Sequence, residues 1–213
     1  MPKYSEEPRE HGSFTRSFDL LYTRIARAYD VGVKALPVWK AWLRPALQYV
    51  QGPRVLEVSF GTGYLMTQYA RRFEVHGLDL NARMVAIARA NLERTGVRAA
   101  LCRGTVEALP YRSGSFDCVL NTMAFSGYPD ARKALGDLLR VLKPAGRLVL
   151  IDINYPADGN WLGTRLTQSW KYAGDLIRDM SALFREFSLP HVDREVGGFG
   201  SVHLYVAEKA PTC

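Results

Sequence analysis

Apolar and polar positions along the chain follow two periods. Short apolar runs rich in Val, Leu and Ile stand at 54–58, 75–81, 98–102, 116–121 and 146–152. They are too short for helices, and turn residues bound them, so they predict strands. Between them, apolar residues recur three and four apart over 64–74, around Met84, Ile87 and Ala88, and over 131–142, which Lys143-Pro144-Ala145-Gly146 ends. Strands alternating with helices predict an α/β fold with a parallel sheet and helices on both faces. Near the end, Gly197-Gly198-Phe199-Gly200 predicts a turn closing an antiparallel strand pair. At the other end, Phe18, Leu21, Tyr22, Ile25 and Tyr29, then Trp39, Trp42, Leu43 and Leu47, keep helical spacing and predict helices covering the sheet edge.

The first strand carries the most specific chemistry. Arg54-Val55-Leu56-Glu57-Val58 runs straight into Ser59-Phe60-Gly61-Thr62-Gly63-Tyr64. Dinucleotide sites use such a turn to offer backbone N–H groups and a helix N-terminus to a pyrophosphate. Two residues argue against a pyrophosphate here. Glu57 would repel it, and Met66 stands where the third glycine belongs. An adenosine cofactor with cations in place of phosphates fits, and S-adenosylmethionine, with its ammonium and sulfonium, is one. Glu57 is expected to act on the ammonium, directly or through water or backbone; the alternative is an exposed strand-end acid. Gly61 and Gly63 are expected to let the backbone approach the cofactor. Asp79, roughly 20 residues further on, stands where a carboxylate accepts from both ribose hydroxyls. It equally suits a helix N-cap. Leu80 and Met84 are expected to pack on the adenine. Asn121 ends the fourth run, at the lip where open α/β sheets bind ligands, and is expected to line the methionine end.

Five landmarks now stand in order: 55–64, Gly77-Leu78-Asp79, 104–110 with Ser115-Phe116-Asp117, 139–152, and 197–204. Over about residues 52–209 the chain resembles the class I S-adenosylmethionine-dependent methyltransferases. Within them it is most similar to the small-molecule branch of ubiquinone/menaquinone C-methyltransferases and soluble bacterial phosphatidylethanolamine N-methyltransferases. The resemblance implies a Rossmann-like, doubly wound, mostly parallel seven-stranded sheet with an antiparallel last strand. It implies a single domain: a disordered leader at 1–12, a helical cap at 13–50, a cofactor-binding core at 51–153, a substrate-side insert at 154–190 and a strand pair at 191–213. Tyr22 and Tyr29 resemble the cap aromatics that close over the cofactor in this branch; plain helix packing explains them equally. The chain departs from the family pattern twice. Ser59 replaces a glycine, and Thr105 replaces the acid that binds the adenine amino group. Thr105 and the Val106 backbone are expected at the adenine edge. Glu107 is the remaining local acid, or a helix first-turn residue. Ser59 and Phe60 complete the expected cofactor set.

A methyl on a sulfonium is already electrophilic, so the main tasks are alignment and exclusion of water. Carbon or phenol acceptors also need a general base; an amine needs only its lone pair. Tyr29, Asn121 and His203 are the catalytic candidates. His203 in the last strand and His191 in the one before it read first as structural or surface histidines. His76 in the second strand and His11 in the leader are set aside. The insert carries Trp161, Leu166, Trp170, Tyr172, Ala173, Leu176, Ile177, Met180 and Phe184, which predict either a hydrophobic substrate lid or the helix packing between strands five and six.

Length and composition narrow the class. A chain of 213 residues, 47% hydrophobic and 23% charged, suits one soluble domain. No apolar run approaches the roughly 20 residues of a membrane span, and the charged stretch Met1 to Gly12 has no apolar core of a signal peptide. Three cysteines at unrelated spacings imply neither disulfides nor a zinc site, and no metal is expected. Cys102 and Cys118 are expected as buried thiols, and the compartment as cytoplasmic. The net charge of +7 gathers in Arg16, Arg24, Arg27, Lys34, Lys40, Arg44 and Arg54. These are either solvated or a face for an anionic membrane surface, peripheral at the inner face. The expected partner is a small acceptor: a lipid headgroup amine, a quinol-like aromatic or a specialised metabolite. An RNA or protein methyltransferase is the second reading. No appended nucleic-acid module supports it, and Asn121-Thr122-Met123-Ala124 replaces the Asn-Pro-Pro-Tyr turn of many base N-methylating enzymes. A non-catalytic cofactor-binding protein is the third, resting on Ser59 and Thr105. The acceptor atom and the oligomeric state are not readable from the sequence.

Overall fold

The computed structural model describes residues 4–211. Seven strands form one sheet: β1 (Arg54–Val58), β2 (Glu74–Asp79), β3 (Ala100–Arg103), β4 (Phe116–Thr122), β5 (Leu142–Ile153), β6 (His191–Gly197) and β7 (Val202–Glu208). Their order is β3-β2-β1-β4-β5-β7-β6. β1 pairs in parallel with both β2 and β4, and β7 alone runs against its neighbours β5 and β6. This is the doubly wound sheet expected, with its reversal of strand order between β1 and β4.

The sheet is buried on both faces because its strands alternate between two apolar layers. Leu56, Val119 and Leu150 face a cluster with Leu135, Leu138 and Phe184. Val55, Leu120 and Val149 face the opposite cluster, with Met66, Tyr69 and Leu92. The helices are α1 (His11–Ala35), α2 (Pro37–Leu43), α3 (Met66–Tyr69), α4 (Ala82–Thr95), α5 (Ala131–Val141), α6 (Trp161–Ala173) and α7 (Met180–Glu186). Their ends follow local chemistry. Asn81 caps α4 by accepting from the Arg83 and Met84 N–H groups, and left-handed Gly96 ends it. Asp130 and Asp179 cap α5 and α7 in the same way. Leu36, extended ahead of Pro37, separates α1 from α2.

Several expectations need correction. The helical pattern at 64–74 yields only the single turn α3 and a 3₁₀ turn, Ala70–Arg72, because the chain must rejoin the sheet at Glu74 opposite Arg54. β5 begins at Leu142 rather than Gly146, through an irregular pairing with Phe116. The expected disordered leader is docked over 4–10. The Ser5 N–H donates to Ile177 O at 2.7 Å, its Oγ accepts the Ile177 N–H at 3.0 Å, and Glu7 pairs with Arg132. Residues 1–3 of that leader lie outside the described residues. The insert splits in two: Met180 and Phe184 enter the core, whereas Trp161 (68%) and Tyr172 (92%) are exposed. Cys118 is buried, but Cys102, on edge strand β3, is only partly so.

The cap is anchored on the far strands through close backbone contact. Trp42 of α2 lies against Gly197, where an added Cβ would come within 2.1 Å of the indole Cδ1. Trp39 continues this aromatic contact to Trp170 of α6, centroids 6.3 Å apart. Gly197→Ala should therefore cost about 1–3 kcal/mol, the usual range for overpacking, in urea denaturation. Gly114→Ala meets no neighbour, though its positive φ leaves a smaller backbone cost.

Candidate active site

A cavity opens at the carboxyl ends of β1, β2 and β4, at the strand-order reversal, and α1 roofs it. The roof is one stripe of α1: Thr15, Phe18, Tyr22, Tyr29 and Val33 line the cavity, and Ala26 is buried in the same stripe. Spacings of three and four put these on one helix face. Leu21 and Ile25, read from the sequence as part of this face, point outward instead and are exposed.

Most of the residues singled out in the sequence meet here. Glu57, Ser59, Phe60, Gly61, Asp79, Leu80, Met84, Thr105, Val106, Glu107 and Tyr29 all line the cavity. Glu57 is not an exposed strand-end acid; it is 1% exposed and accepts a 2.8 Å hydrogen bond from the Tyr69 hydroxyl. Asp79 accepts the Gly61 N–H at 2.9 Å and the Asn81 N–H at 2.8 Å, one on each oxygen. It ties the two turns together and leaves lone pairs on both oxygens. The helix cap is Asn81, not Asp79. Gly61 has φ +56, and a Cβ there would face the Tyr29 ring at 3.6 Å, so glycine keeps the turn open beneath the roof. Thr105 caps the 3₁₀ turn Val106–Ala108, and Glu107 accepts the Asp130 N–H at 3.2 Å.

Three candidates fall elsewhere. Gly63 does not line the cavity; its left-handed backbone packs on α4, where a Cβ would lie 3.0 Å from Ala88. Asn121 is wholly buried behind the wall, donating to the Tyr128 hydroxyl at 2.6 Å, and its Oδ1 has no partner among the described residues. His203 does not line the cavity. Its Nδ1 meets Asp193 at 2.7 Å and its Nε2 the Tyr155 carbonyl at 3.1 Å, which occupies both ring nitrogens in structural contacts. Sequence reasoning missed Tyr128 and Asp175, which line the cavity from the turns after β4 and α6. No motif marks either one, and only the tertiary fold brings them to the site.

The electrostatics are those of a site short of positive charge. Burial, with Asp79 nearby, pushes the Glu57 carboxyl up to about 8, against the lowering effect of the Tyr69 hydrogen bond. Burial likewise raises Asp79 to about 6, although its two backbone hydrogen bonds oppose this. No cation figures among the groups acting on either acid. Two buried carboxylates in an open cavity, without a counter-charge, fit a cationic ligand.

Residues 55–146 match a family described as a methyltransferase domain. A demethylmenaquinone methyltransferase of Thermus thermophilus is 35% identical over 147 residues, covering 65% of this chain and 67% of that one. The chain belongs to the class I S-adenosylmethionine-dependent methyltransferases of the ubiquinone/menaquinone C-methyltransferase type. A ubiquinone/menaquinone biosynthesis C-methyltransferase of Pectobacterium carotovorum is 27% identical over 80% of this methyltransferase, which spans 64% of that relative. An S-adenosylmethionine-dependent methyltransferase structure from Thermotoga maritima superimposes with a TM-score of 0.69 at 19% identity, over 88% of this chain and 98% of that one. At that identity the likeness bears on the fold alone.

The donor set of this methyltransferase fits S-adenosylmethionine. Glu57 would face the ammonium, the free lone pairs of Asp79 the ribose hydroxyls, and Leu80, Met84 and Val106 the adenine. A bound ammonium lowers the Glu57 carboxyl from about 8, so binding at pH 7 should release close to one proton. Calorimetry in buffers of different ionisation enthalpy reads this directly, and Glu57→Gln should abolish the release. The sign for stability follows from the same shift. Because the folded-state value is raised from 4.5, the ligand-free protein should lose stability as pH rises from about 4.5 through 8. Glu57→Gln should flatten that slope in thermal melts.

Proposed function

We propose that this chain transfers a methyl group from S-adenosylmethionine to a small apolar or amphiphilic acceptor, with a quinol-type aromatic as the acceptor class. The observation that carries the reading is the roofed cavity at the end of β1, with Glu57 and Asp79 on its floor and Phe18, Tyr22 and Tyr29 above. The names of the quinone-methylating relatives support the aromatic acceptor. When bound, the cofactor supplies an electrophilic methyl. The chain's own work is to hold and align. Glu57 and Asp79 fix the two polar ends of the cofactor, Gly61 lets it approach the backbone, and the α1 aromatics exclude water while presenting a flat apolar surface to the acceptor.

Titration of S-adenosylmethionine and S-adenosylhomocysteine into the purified chain tests the cofactor. Micromolar binding should weaken by about a hundredfold in Asp79→Ala, the scale of losing two charge-assisted hydrogen bonds. No binding by the parent chain would overturn the reading. Turnover of a short-chain 1,4-naphthoquinol, set against phosphatidylethanolamine, separates an aromatic acceptor from a headgroup amine.

An amphiphilic acceptor also brings the outer face of α1 into play. Leu20, Leu21, Ile25 and Val31 are exposed there, with Arg16, Arg24 and Arg27 beside them. Among the described residues no helix is long and apolar enough to cross a membrane, so any lipid contact through a helix is peripheral. We infer binding to anionic vesicles that falls steeply with salt and that weakens in a Leu21→Ser/Ile25→Ser variant. Equal recovery of both proteins with the vesicles on flotation would count against this contact.

A further inference from the structure

Beyond Glu57 and Asp79, three acids line the cavity: Asp19, which accepts from Asn81, Glu107, which accepts the Asp130 N–H, and Asp175. Asp175 follows α6 in the turn that left-handed Gly174 opens, and it lines the cavity at the end where Thr122, Met123 and Tyr128 also lie. The turn is pinned. The Leu176 N–H donates to Ser126 O at 2.8 Å, and Gly174 packs beneath Phe18 of the roof.

Behind Asp175 runs a short hydrogen-bonded chain into the protein. Ser126 Oγ lies 2.7 Å from Asp175 Oδ1 and 2.9 Å from Asp152 Oδ1. A serine hydroxyl has one proton to donate, so it can serve only one of these carboxylates as donor. Asp152 also accepts the Ser126 N–H at 2.6 Å and the Ile153 N–H at 2.7 Å, while burial, with Asp175 beside it, raises its carboxyl to about 6. The Asp175 carboxyl has Ser126 as its hydrogen-bond partner among the described residues, and the residue lines the cavity. Three links, carboxyl, hydroxyl and carboxyl, thus connect the cavity wall to a buried acid.

We propose that Asp175 takes the proton that a hydroxyl-bearing aromatic acceptor gives up during methyl transfer, with Ser126 and Asp152 positioning it. The inference rests on the methyl-transfer reading above and names the base that the sequence does not show. The step balances. Asp175 accepts the acceptor's O–H proton, and the freed electron pair enters the ring. The adjacent ring carbon forms the new bond to the methyl, whose bond to sulfur breaks with both electrons left on sulfur. The hydrogen on that ring carbon then moves to the oxygen and restores the aromatic hydroxyl. One proton leaves per turnover, through Asp175 to solvent.

Burial raises the Asp175 carboxyl above its ordinary value, against the lowering hydrogen bond from Ser126. The ionisable groups facing the pair are Tyr22 from α1, raised to about 12 by burial and by Asp175 and Asp152, Tyr128 from the turn after β4 and Tyr205 of β7, both raised by burial with Asp152 adding to it, and Arg178 from the loop before α7. Arg178 spends its donors on the Phe125, Leu176, Tyr128 and Pro129 carbonyls rather than on either acid. Asp79, the nearest cofactor acid, acts on Tyr22 as well and stands across the cavity wall.

The test compares the full-length parent, Asp175→Asn, Asp175→Glu and Ser126→Ala. S-adenosylhomocysteine binding should stay within about twofold in all four, which shows that each is folded. With that ligand present, 2-naphthol should bind the parent more tightly as pH rises through the ionisation of Asp175. Asp175→Asn should bind it about tenfold more weakly and without pH dependence, and Asp175→Glu should restore the dependence. In turnover of a short-chain 1,4-naphthoquinol, Asp175→Asn should lose about 10²- to 10⁴-fold in kcat, the usual share of a general base. Ser126→Ala should move the acid limb of the kcat/KM profile. Unchanged naphthol binding and an unchanged pH profile in Asp175→Asn would overturn the proposal while leaving methyl transfer intact. A parent that binds naphthol through Asp175 yet methylates nothing would sink the methyl-transfer reading and leave Asp175 as the acceptor-binding group. If Asp175→Asn does not fold, Ser126→Ala carries the comparison, and a parental pH profile in it overturns the proposal.

Discussion

A buried carboxylate without a counter-cation sets the terms for the rest of this site. Glu57 stands in the second-to-last position of a central strand, between β2 and β4, with a tyrosine hydroxyl as its hydrogen-bond donor. Isolating an ionised acid in such a place is costly, and the protein answers by holding the group largely protonated at neutral pH. Tyr69 is fully buried on the opposite side of the sheet from α5 to meet it. Asp79, at the end of the neighbouring strand, adds a second acid and raises the first. Strand order, the glycine turn and the short α3 all serve to bring these two acids to one opening.

The roof depends on polar attachments rather than on burial alone. Of the 25 residues of α1, Ala26 and Val33 are its fully buried positions. What fastens it is a row of contacts to α4 and the turn before it. Asn81, while capping α4 with its Oδ1, turns its Nδ2 to Asp19 and Thr23 of α1. Further along, Asn91 donates to Asp30 at 2.9 Å and accepts from Lys34 at 2.9 Å. The same asparagine that starts the helix after Asp79 therefore also positions the cap. A contact set of this kind couples the Asp79–Asn81 turn to the roof of the cavity, and the aromatic stripe from Phe18 to Trp39 extends that roof toward α6.

The parts legible in the sequence were those written in local period and in turn chemistry. The strands around Val55, Val75, Phe116 and Leu148, the helix 131–141 and the hairpin at Gly197–Gly200 all follow from spacing. So do Glu57, Gly61 and Asp79, because a strand ending in an acid and glycines constrains its own geometry. The misreadings share a cause. Gly63 serves packing against Ala88, Asn121 supports Tyr128 from behind, and His203 bridges Asp193 to the Tyr155 carbonyl. In each, the residue type suits the site, yet a partner distant in sequence claims it. Asp175 shows the converse: an ordinary acid after a helix-ending glycine gains its place only through Ser126 and Asp152. On α1, period alone could not say which of two overlapping apolar stripes faces inward.

The two departures from the family pattern bear on whether the site is intact. Ser59 adopts the left-handed conformation, φ 50, that glycine takes without strain. For a residue with a Cβ this costs on the order of 1–2 kcal/mol. The hydroxyl is not spent on Glu57, as its nearness in sequence suggests. It meets the Tyr128 hydroxyl at 2.6 Å, and Tyr128 in turn accepts from Asn121. The serine that strains the turn thus fixes the aromatic wall of the cavity, an interaction that glycine could not make and one of comparable size. Thr105 gives up a carboxylate at the adenine edge but caps its own turn, which leaves Glu107 bonded to the Asp130 N–H and still lining the cavity. Both substitutions exchange one local contact for another and leave the two floor acids, the open glycine and the roof in place.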